Sequence, residues 1–227
     1  MEARAFPSQE DTLAARLRGF GPLGLLSFFV ILLGNVLLIG TSGVLVLVWA
    51  RLSRTPWRDL GFVRPRSWAI TIIAGIISGI VFKLLMKSVV MPLLGADPIN
   101  HAYHYLAGNT AALPGAILLM IVGAGFGEET FFRGYLFERV GARYGRGAGA
   151  KAFAVVLTTL FFGVAHLQGQ GLAGAEQAMF TGLVFGTIYA ASGRIWLPMI
   201  AHAAFDLTAL GIIYRDLETV VAHWFFR

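Results

Sequence analysis

The chain contains no cysteine. That excludes a thiol nucleophile, a disulfide framework and a thiolate metal site, and says little about compartment. Charge is also scarce, at 13% of residues, where a soluble domain carries roughly a quarter. No Asp, Glu, Lys or Arg lies between Arg18 and Arg51, Arg66 and Lys83, Asp97 and Glu128, or Lys151 and His166. The helix-borne zinc signature HExxH is missing, as are a GxSxG elbow and a GxGD pair. Internal repeats, low-complexity tracts and domain linkers are absent as well.

What is present is apolar: 57% hydrophobic residues and a mean hydropathy of +0.72. A membrane-spanning helix needs roughly 20 mostly apolar residues, and several of the uncharged runs meet or approach that length. In lipid the backbone must satisfy its own hydrogen bonds, and these runs are too continuous for the alternation of a barrel, which leaves helices. The expected fold is an all-α, polytopic membrane helical bundle. It has about six transmembrane helices, with room for extra re-entrant or interfacial ones, and forms a single membrane domain over residues 1–227.

The formal charge of +6 is unevenly placed. Arg51, Arg54, Arg58, Arg64 and Arg66 fall in one connection and Arg139, Arg143, Arg146 and Lys151 in another, while 88–112 and 167–175 have no Lys or Arg. This is the pattern of the positive-inside rule, with the two basic connections cytoplasmic and in contact with lipid. Membrane lipids are therefore the expected partners of these charges, and nucleic acid is not. The N-terminal stretch is polar, and the apolar run behind it is too long for a signal-peptide core, so it reads as an uncleaved leader.

Spans are expected at about 67–92, 113–140, 150–167, 174–192 and 195–214. The first apolar stretch, about 20–50, suits a tilted or kinked helix near Gly40–Gly43, with a re-entrant hairpin as the alternative. Lys83 and Lys87, one helical turn apart, are expected to snorkel to the head groups. His101 and His104 read as a solvated loop pair. Gly182 and Gly186 have the spacing of a close helix contact.

Charged groups inside a bilayer normally face the bundle interior and have partners. Glu129 and Arg133 stand at i,i+4, suited to an ion pair, whereas Glu128 projects from another part of the helix surface. Phe162 with His166 and His202 with Asp206 repeat the i,i+4 spacing. At 1.5 Å per residue, Glu128 lies about 16 Å from Arg139, His202 about 12 Å and Asp206 about 18 Å from Arg194, and His166 about 22 Å from Lys151. These overlapping depths allow one intramembrane cavity to hold all four groups. Gly123, Gly125 and Gly127 thin the helix just before the glutamates, so that another backbone or an extended peptide can approach.

The segments "EETFFR" (128–133), "FGVAH" (162–166) and "HAAFD" (202–206) match EExxxR, FxxxH and HxxxN/D in order. Together they resemble the CPBP family, which includes CAAX prenyl endopeptidases of the Ras-converting type, intramembrane glutamate proteases and bacterial Abi or bacteriocin-immunity proteins. The motif-bearing core is about 113–214. The resemblance implies an intramembrane endopeptidase acting on a membrane-associated or lipidated peptide or protein. In that reading Glu128 and His166 activate water, His202 and Asp206 serve the oxyanion side, and Glu129, Arg133 and Phe162 support the site. Desolvation makes a carboxylate a better base, and fixed donors are worth most where water is scarce.

Aspartate departs from the asparagine option at position 206, because an ionised carboxylate cannot donate a hydrogen bond. Orienting or charging His202, or being itself protonated, are the roles open to it. No cofactor is expected, although Glu128, His166, His202 and Asp206 are all acceptable zinc ligands, so a zinc-dependent variant stays open. So does a catalytically inactive scaffold or an immunity-type protein. The compact, Arg- and Ala-rich chain suggests a bacterial inner membrane.

The cysteine-free background permits a direct test of topology. Single cysteines in Ser67→Cys and Gly147→Cys variants are expected to react with an impermeant maleimide from one membrane face, and Ala107→Cys from the opposite face.

Overall fold

A computed structural model describes residues 9–37 and 40–226. Residues 1–8 of the N-terminal leader expected from the sequence lie outside them. Helices α1 (Gln9–Arg18) and α2 (Pro22–Leu37) are bent by 60° about the intervening glycines, and α3 (Thr41–Leu52) follows. The longer helices are α4 (Trp68–Leu93), α5 (Thr110–Tyr144), α6 (Ala148–Ser192) and α7 (Trp196–Tyr214), and a short α8 (Glu218–Ala222) closes the chain. The described residues contain no strand. Four helices are long and apolar enough to cross a membrane, and the bent α1–α2 pair would make a fifth span. This is the all-α bundle read from composition.

The first apolar stretch is not one kinked helix. α2 and α3 fold back on each other as a hairpin: Gly34 lies against Thr41, Ser42 and Leu45, and the Trp49 indole N–H donates to the Leu17 carbonyl at 3.2 Å. Gly40, with φ of 93°, begins α3 in the left-handed region that a glycine tolerates. The hairpin tip presses on the glycine-rich part of α5. A Cβ on Gly127 would sit 2.5 Å from the Gly40 Cα, and one on Gly43 2.9 Å from the Gly127 Cα. The backbone that approaches the thinned helix is thus the chain's own.

α6 is 45 residues long, about twice what a bilayer needs. It reverses at Gly171, whose φ of 67° and ψ of −167° are not helical. The two arms, 148–170 and 172–192, pack antiparallel: Gly163 faces Ala175 and Met179, Gly182 faces Thr159, and Gly186 faces Val155. This is the close contact suggested by the Gly182 and Gly186 spacing.

The sequence reading took α5 as a regular helix. Instead it is π-helical over Leu119–Glu128 and again over Thr130–Tyr135, with Glu129 between. The wider turns change the angular spacing of side chains around the motif, and such bulges gather at functional sites. Backbones pack on this stretch from two sides, the hairpin tip on Gly127 and α7 on Gly125, where a Cβ would meet the Met199 carbonyl and Ala203.

At the basic end, Arg146 reaches Asp59 at 3.0 Å, while Arg18 lies 3.5 Å from Asp59 and 3.7 Å from Glu138. Arg139 donates to the Arg18 and Gly19 carbonyls, closing the C-terminus of α1. At the other end, the 94–109 connection packs down on α7. Leu106 is buried with Leu210 and Ile213, and the Gly108 N–H donates to the Tyr214 carbonyl at 3.0 Å.

The backbone contact at the hairpin tip predicts a steric penalty. Gly127→Leu is expected to lower the thermal stability of the detergent-purified protein by about 1–3 kcal/mol, as overpacking does. Gly115→Leu, at a glycine with open space around it, should leave the melting temperature unchanged.

Candidate functional site

The two adjacent glutamates of α5 have different surroundings. Glu129 is fully buried, and its Oε1 accepts from Arg133 Nη1 at 2.8 Å and from His202 Nδ1 at 2.7 Å. Glu128 Oε2 is buried without a hydrogen-bond partner in the protein, and the side chain is 12% exposed. One carboxylate is thereby committed to structure and its neighbour is not. This is the division of roles that adjacency on a helix permits.

Arg133 sits within an aromatic box. Its guanidinium carbon lies 5.1 Å from the centre of the Phe162 ring, 5.9 Å from Phe185 and 6.0 Å from Phe132, and Nη2 donates to the Gly182 carbonyl at 3.4 Å. Ring faces are favourable neighbours for a desolvated cation. The same Phe162 ring meets His166 edge-on at 4.4 Å and His202 at 5.9 Å between centroids. Phe162 thus bridges both imidazoles and the arginine.

The histidine tautomers follow from their partners. An ionised carboxylate and a backbone carbonyl only accept, so Nδ1 carries the proton in both rings. His202 Nδ1 is given to Glu129, and its Nε2 lies 3.8 Å from both Glu128 Oε2 and Asp206 Oδ2. His166 Nδ1 donates to the Phe162 carbonyl at 2.8 Å, which leaves Nε2 free to accept. His166, His202, Asp206 and Glu129 are the electrostatic neighbours of Glu128. Asp206, with its side chain 27% exposed, flanks His202 at ion-pair rather than hydrogen-bond distance.

The structure therefore gathers Glu128, Glu129, Arg133, Phe162, His202 and Asp206 in one cluster, with His166 joined through the Phe162 ring. Among the described residues, no group of three or more His, Asp or Glu side chains is placed to hold one metal ion. The donor set is chemically suited to zinc, but its arrangement does not fit one.

One further polar residue near the cluster, Tyr103, carried no signal in the sequence, and two lysines read there as lipid-facing are placed differently. Tyr103 comes from the 94–109 connection, and its hydroxyl accepts from Gln170 Nε2 at 3.2 Å, one turn beyond His166. Burial pushes the Tyr103 phenol above its ordinary value, and the carboxylates of Asp206 and Glu128 add to this, so it stays a neutral hydroxyl. Lys83 does not snorkel. It is 5% exposed, donates to Gln177 Oε1 at 2.8 Å and lies 4.7 Å from the centre of the Phe205 ring. Lys87 also turns inward, to the Pro98 carbonyl and to Glu218 Oε1 at 3.6 Å. Protein rather than lipid surrounds this part of α4, so the aqueous boundary is not the nearest polar environment. His101 and His104 go to separate carboxylates, Asp97 at 3.0 Å and Glu218 at 2.8 Å.

Residues 110–208 match the family described as Type II CAAX prenyl endopeptidase Rce1-like. The chain is also 26% identical to an Escherichia coli protein described as an uncharacterized 24.3 kDa protein, over 57% of this chain and 66% of that relative's length. No solved structure matches.

Breaking a buried ion pair from one side strands the other charge. Arg133→Met is expected to destabilise the protein by about 3–5 kcal/mol in thermal or denaturant unfolding. Adding Glu129→Gln should recover part of that loss, a non-additivity that reports direct coupling.

Proposed function

We propose, from the match of residues 110–208 to the family described as Type II CAAX prenyl endopeptidase Rce1-like, an endopeptidase that hydrolyses a peptide bond of a membrane-associated or lipidated protein within the bilayer. The observation that carries this reading is the Glu128 carboxylate, its Oε2 buried without a hydrogen bond 3.8 Å from His202, next to a Glu129 already committed to Arg133 and His202. A carboxylate oxygen without a hydrogen-bond partner in a partly desolvated site is available as a base.

In this mechanism a water held between Glu128 and the free Nε2 of His166 attacks the scissile carbonyl carbon. Glu128 takes the proton as the new C–O bond forms. The electron pair of the carbonyl moves onto oxygen, and His202, in its doubly protonated form, donates to that oxyanion from Nε2. Glu129 fixes the His202 ring by accepting from Nδ1, as the third member of a catalytic triad does. Asp206 supports the charge on His202 and gives no hydrogen bond of its own. Collapse of the intermediate breaks the C–N bond, and Glu128 returns its proton to the departing amine.

Each step uses groups of this chain alone, and the reading is metal-free. Tyr103, a neutral hydroxyl at the far side of the cluster, is placed to bound the site on the side of the 94–109 connection. The proposed setting is a bacterial inner membrane, with the basic connections facing the cytoplasm.

Glu128→Gln keeps size and removes the base. In a quantitative comparison of membrane proteomes from cells making the parent or the variant, peptides cleaved only by the parent are expected. Against a substrate found in this way, the variant should lose about 100- to 10,000-fold in rate, the range for general base catalysis. Chelator treatment should leave the parent rate unchanged. Identical peptide profiles from the two proteins would overturn the proposal.

A further inference from the structure

Along α4, Gly75, Gly79 and Lys83 follow one another at intervals of four residues and so share one helix face. The two glycines carry that face against the backbone of α7. A Cβ on Gly75 would sit 2.7 Å from Ile200 Cγ2, and one on Gly79 2.8 Å from the Ala204 Cβ and 2.9 Å from the Phe205 nitrogen. Small residues at this spacing let two helices approach closely. The next side chain on the face, Lys83, is thereby delivered to α7 at the level of Phe205, and its Nζ lies 4.7 Å from the centre of that ring.

This position is unfavourable for an ammonium without a counter-charge. Lys83 is 5% exposed and stands about 22 Å along the axis from Trp68, inside a hydrocarbon core of about 30 Å. Its hydrogen bond goes to the neutral Gln177, and no carboxylate among the described residues stands within ion-pair distance of it. Cations in a membrane bundle normally meet an opposite charge. Of the acids on the surrounding elements, Glu218 is taken by Lys87 and His104, and Asp97 by His101. Asp206, next to Phe205 in the chain, is the carboxylate that acts most strongly on Lys83, ahead of Glu218.

Asp206 in turn belongs to a cluster with an excess of acid. Glu128, Glu129 and Asp206 are three carboxylates, against which stand Arg133 and a doubly protonated His202. His166 and Tyr103, the other titratable neighbours, are neutral in the proposed mechanism. Arg133 and His202 Nδ1 both engage Glu129, so the His202 Nε2–H, 3.8 Å from Asp206 Oδ2, is the cationic donor left near Asp206 within the cluster. Lys83 supplies a further cation, from a helix that carries none of the three motifs.

We propose that Lys83 is a positioning residue of this site: its ammonium offsets the Asp206 carboxylate, which leaves the His202 Nε2 proton for the substrate oxyanion. Lys83 itself touches neither the substrate nor the reacting atoms. Without it, His202 becomes the nearest counter-charge of Asp206, and the Nε2–H is drawn to that carboxylate instead of the scissile carbonyl. The catalytic consequence rests on the peptidase reading, whereas the coupling of Lys83 to Asp206 does not.

Two cycles on the purified full chain test this, each built from the parent, Lys83→Met, Asp206→Asn and the double variant. The first reads melting temperature and needs no substrate. Lys83→Met strands a carboxylate and is expected to lower the melting temperature, and adding Asp206→Asn should restore part of the loss. The second reads kinetics on a substrate found by the proteome comparison. There Lys83→Met should lower kcat roughly tenfold with KM unchanged, on the order of what one charge several ångströms away does at an effective dielectric of about 20. In the Asp206→Asn background the same substitution should change kcat by less than about twofold, since the charge it acts through is gone. Lys83→Gln, which keeps a donor for Gln177 without the charge, serves if Lys83→Met does not fold. Additive losses of melting temperature would overturn the proposal whether or not a substrate is found. So would a kcat loss of equal size in both backgrounds, or an effect confined to KM. Identical peptide profiles would instead overturn the peptidase reading, and the first cycle would still decide the coupling.

Discussion

The Glu129 carboxylate, fully buried between Arg133 and His202, is the constraint on which the rest of the cluster depends. Three helical segments meet there. Arg133 shares α5 with the carboxylate and reaches the second arm of α6 through the Gly182 carbonyl, and His202 arrives from α7. A buried ion pair is weak evidence for net stability, since its desolvation offsets much of its attraction. Its effect here is on specificity of arrangement. With Oε1 shared by two donors, Glu129 fixes the ring orientation of His202 and leaves Glu128 Oε2 without a hydrogen-bond partner.

The aromatic residues around this pair complete the constraint. Phe162 contacts His166, His202 and Arg133, so the apolar residue of the FxxxH motif does as much to place the polar groups as any of them does alone. Ring faces satisfy the guanidinium without competing for Glu129, and ring edges hold the imidazoles apart at defined spacing. The match of residues 110–208 to the family described as Type II CAAX prenyl endopeptidase Rce1-like and the division of roles between the two glutamates are separate observations. Both bear on the same short stretch of chain.

Much of this arrangement was legible in the sequence because it obeys helical periodicity. The ion pair of Glu129 and Arg133 follows from i,i+4 spacing, and the helical bundle follows from long uncharged runs. The contact of Gly182 and Gly186 with Thr159 and Val155 follows from small residues one turn apart. What escaped has physical reasons too. The bond from His202 to Glu129 joins residues 73 apart in the chain, and no local pattern encodes it. Two π-helical stretches depart from the regular period on which angular arguments rest. Lys83 and Lys87 read as snorkelling because isolated lysines near a span end usually do so; Lys87 is instead held by the following connection and the short terminal helix, and Lys83 by Gln177 of α6 and Phe205 of α7. The first apolar stretch proved ambiguous because a glycine permits both a kink and a reversal, and only its contact with α5 distinguishes them.

The meeting of Gly40 and Gly43 with Gly127 also limits the direction from which α5 can be reached. Two main chains in van der Waals contact leave no width for a third, so that flank is sealed against any incoming polypeptide. Access to the Glu128 side chain must be one-sided, from the flank of α5 that the hairpin does not cover.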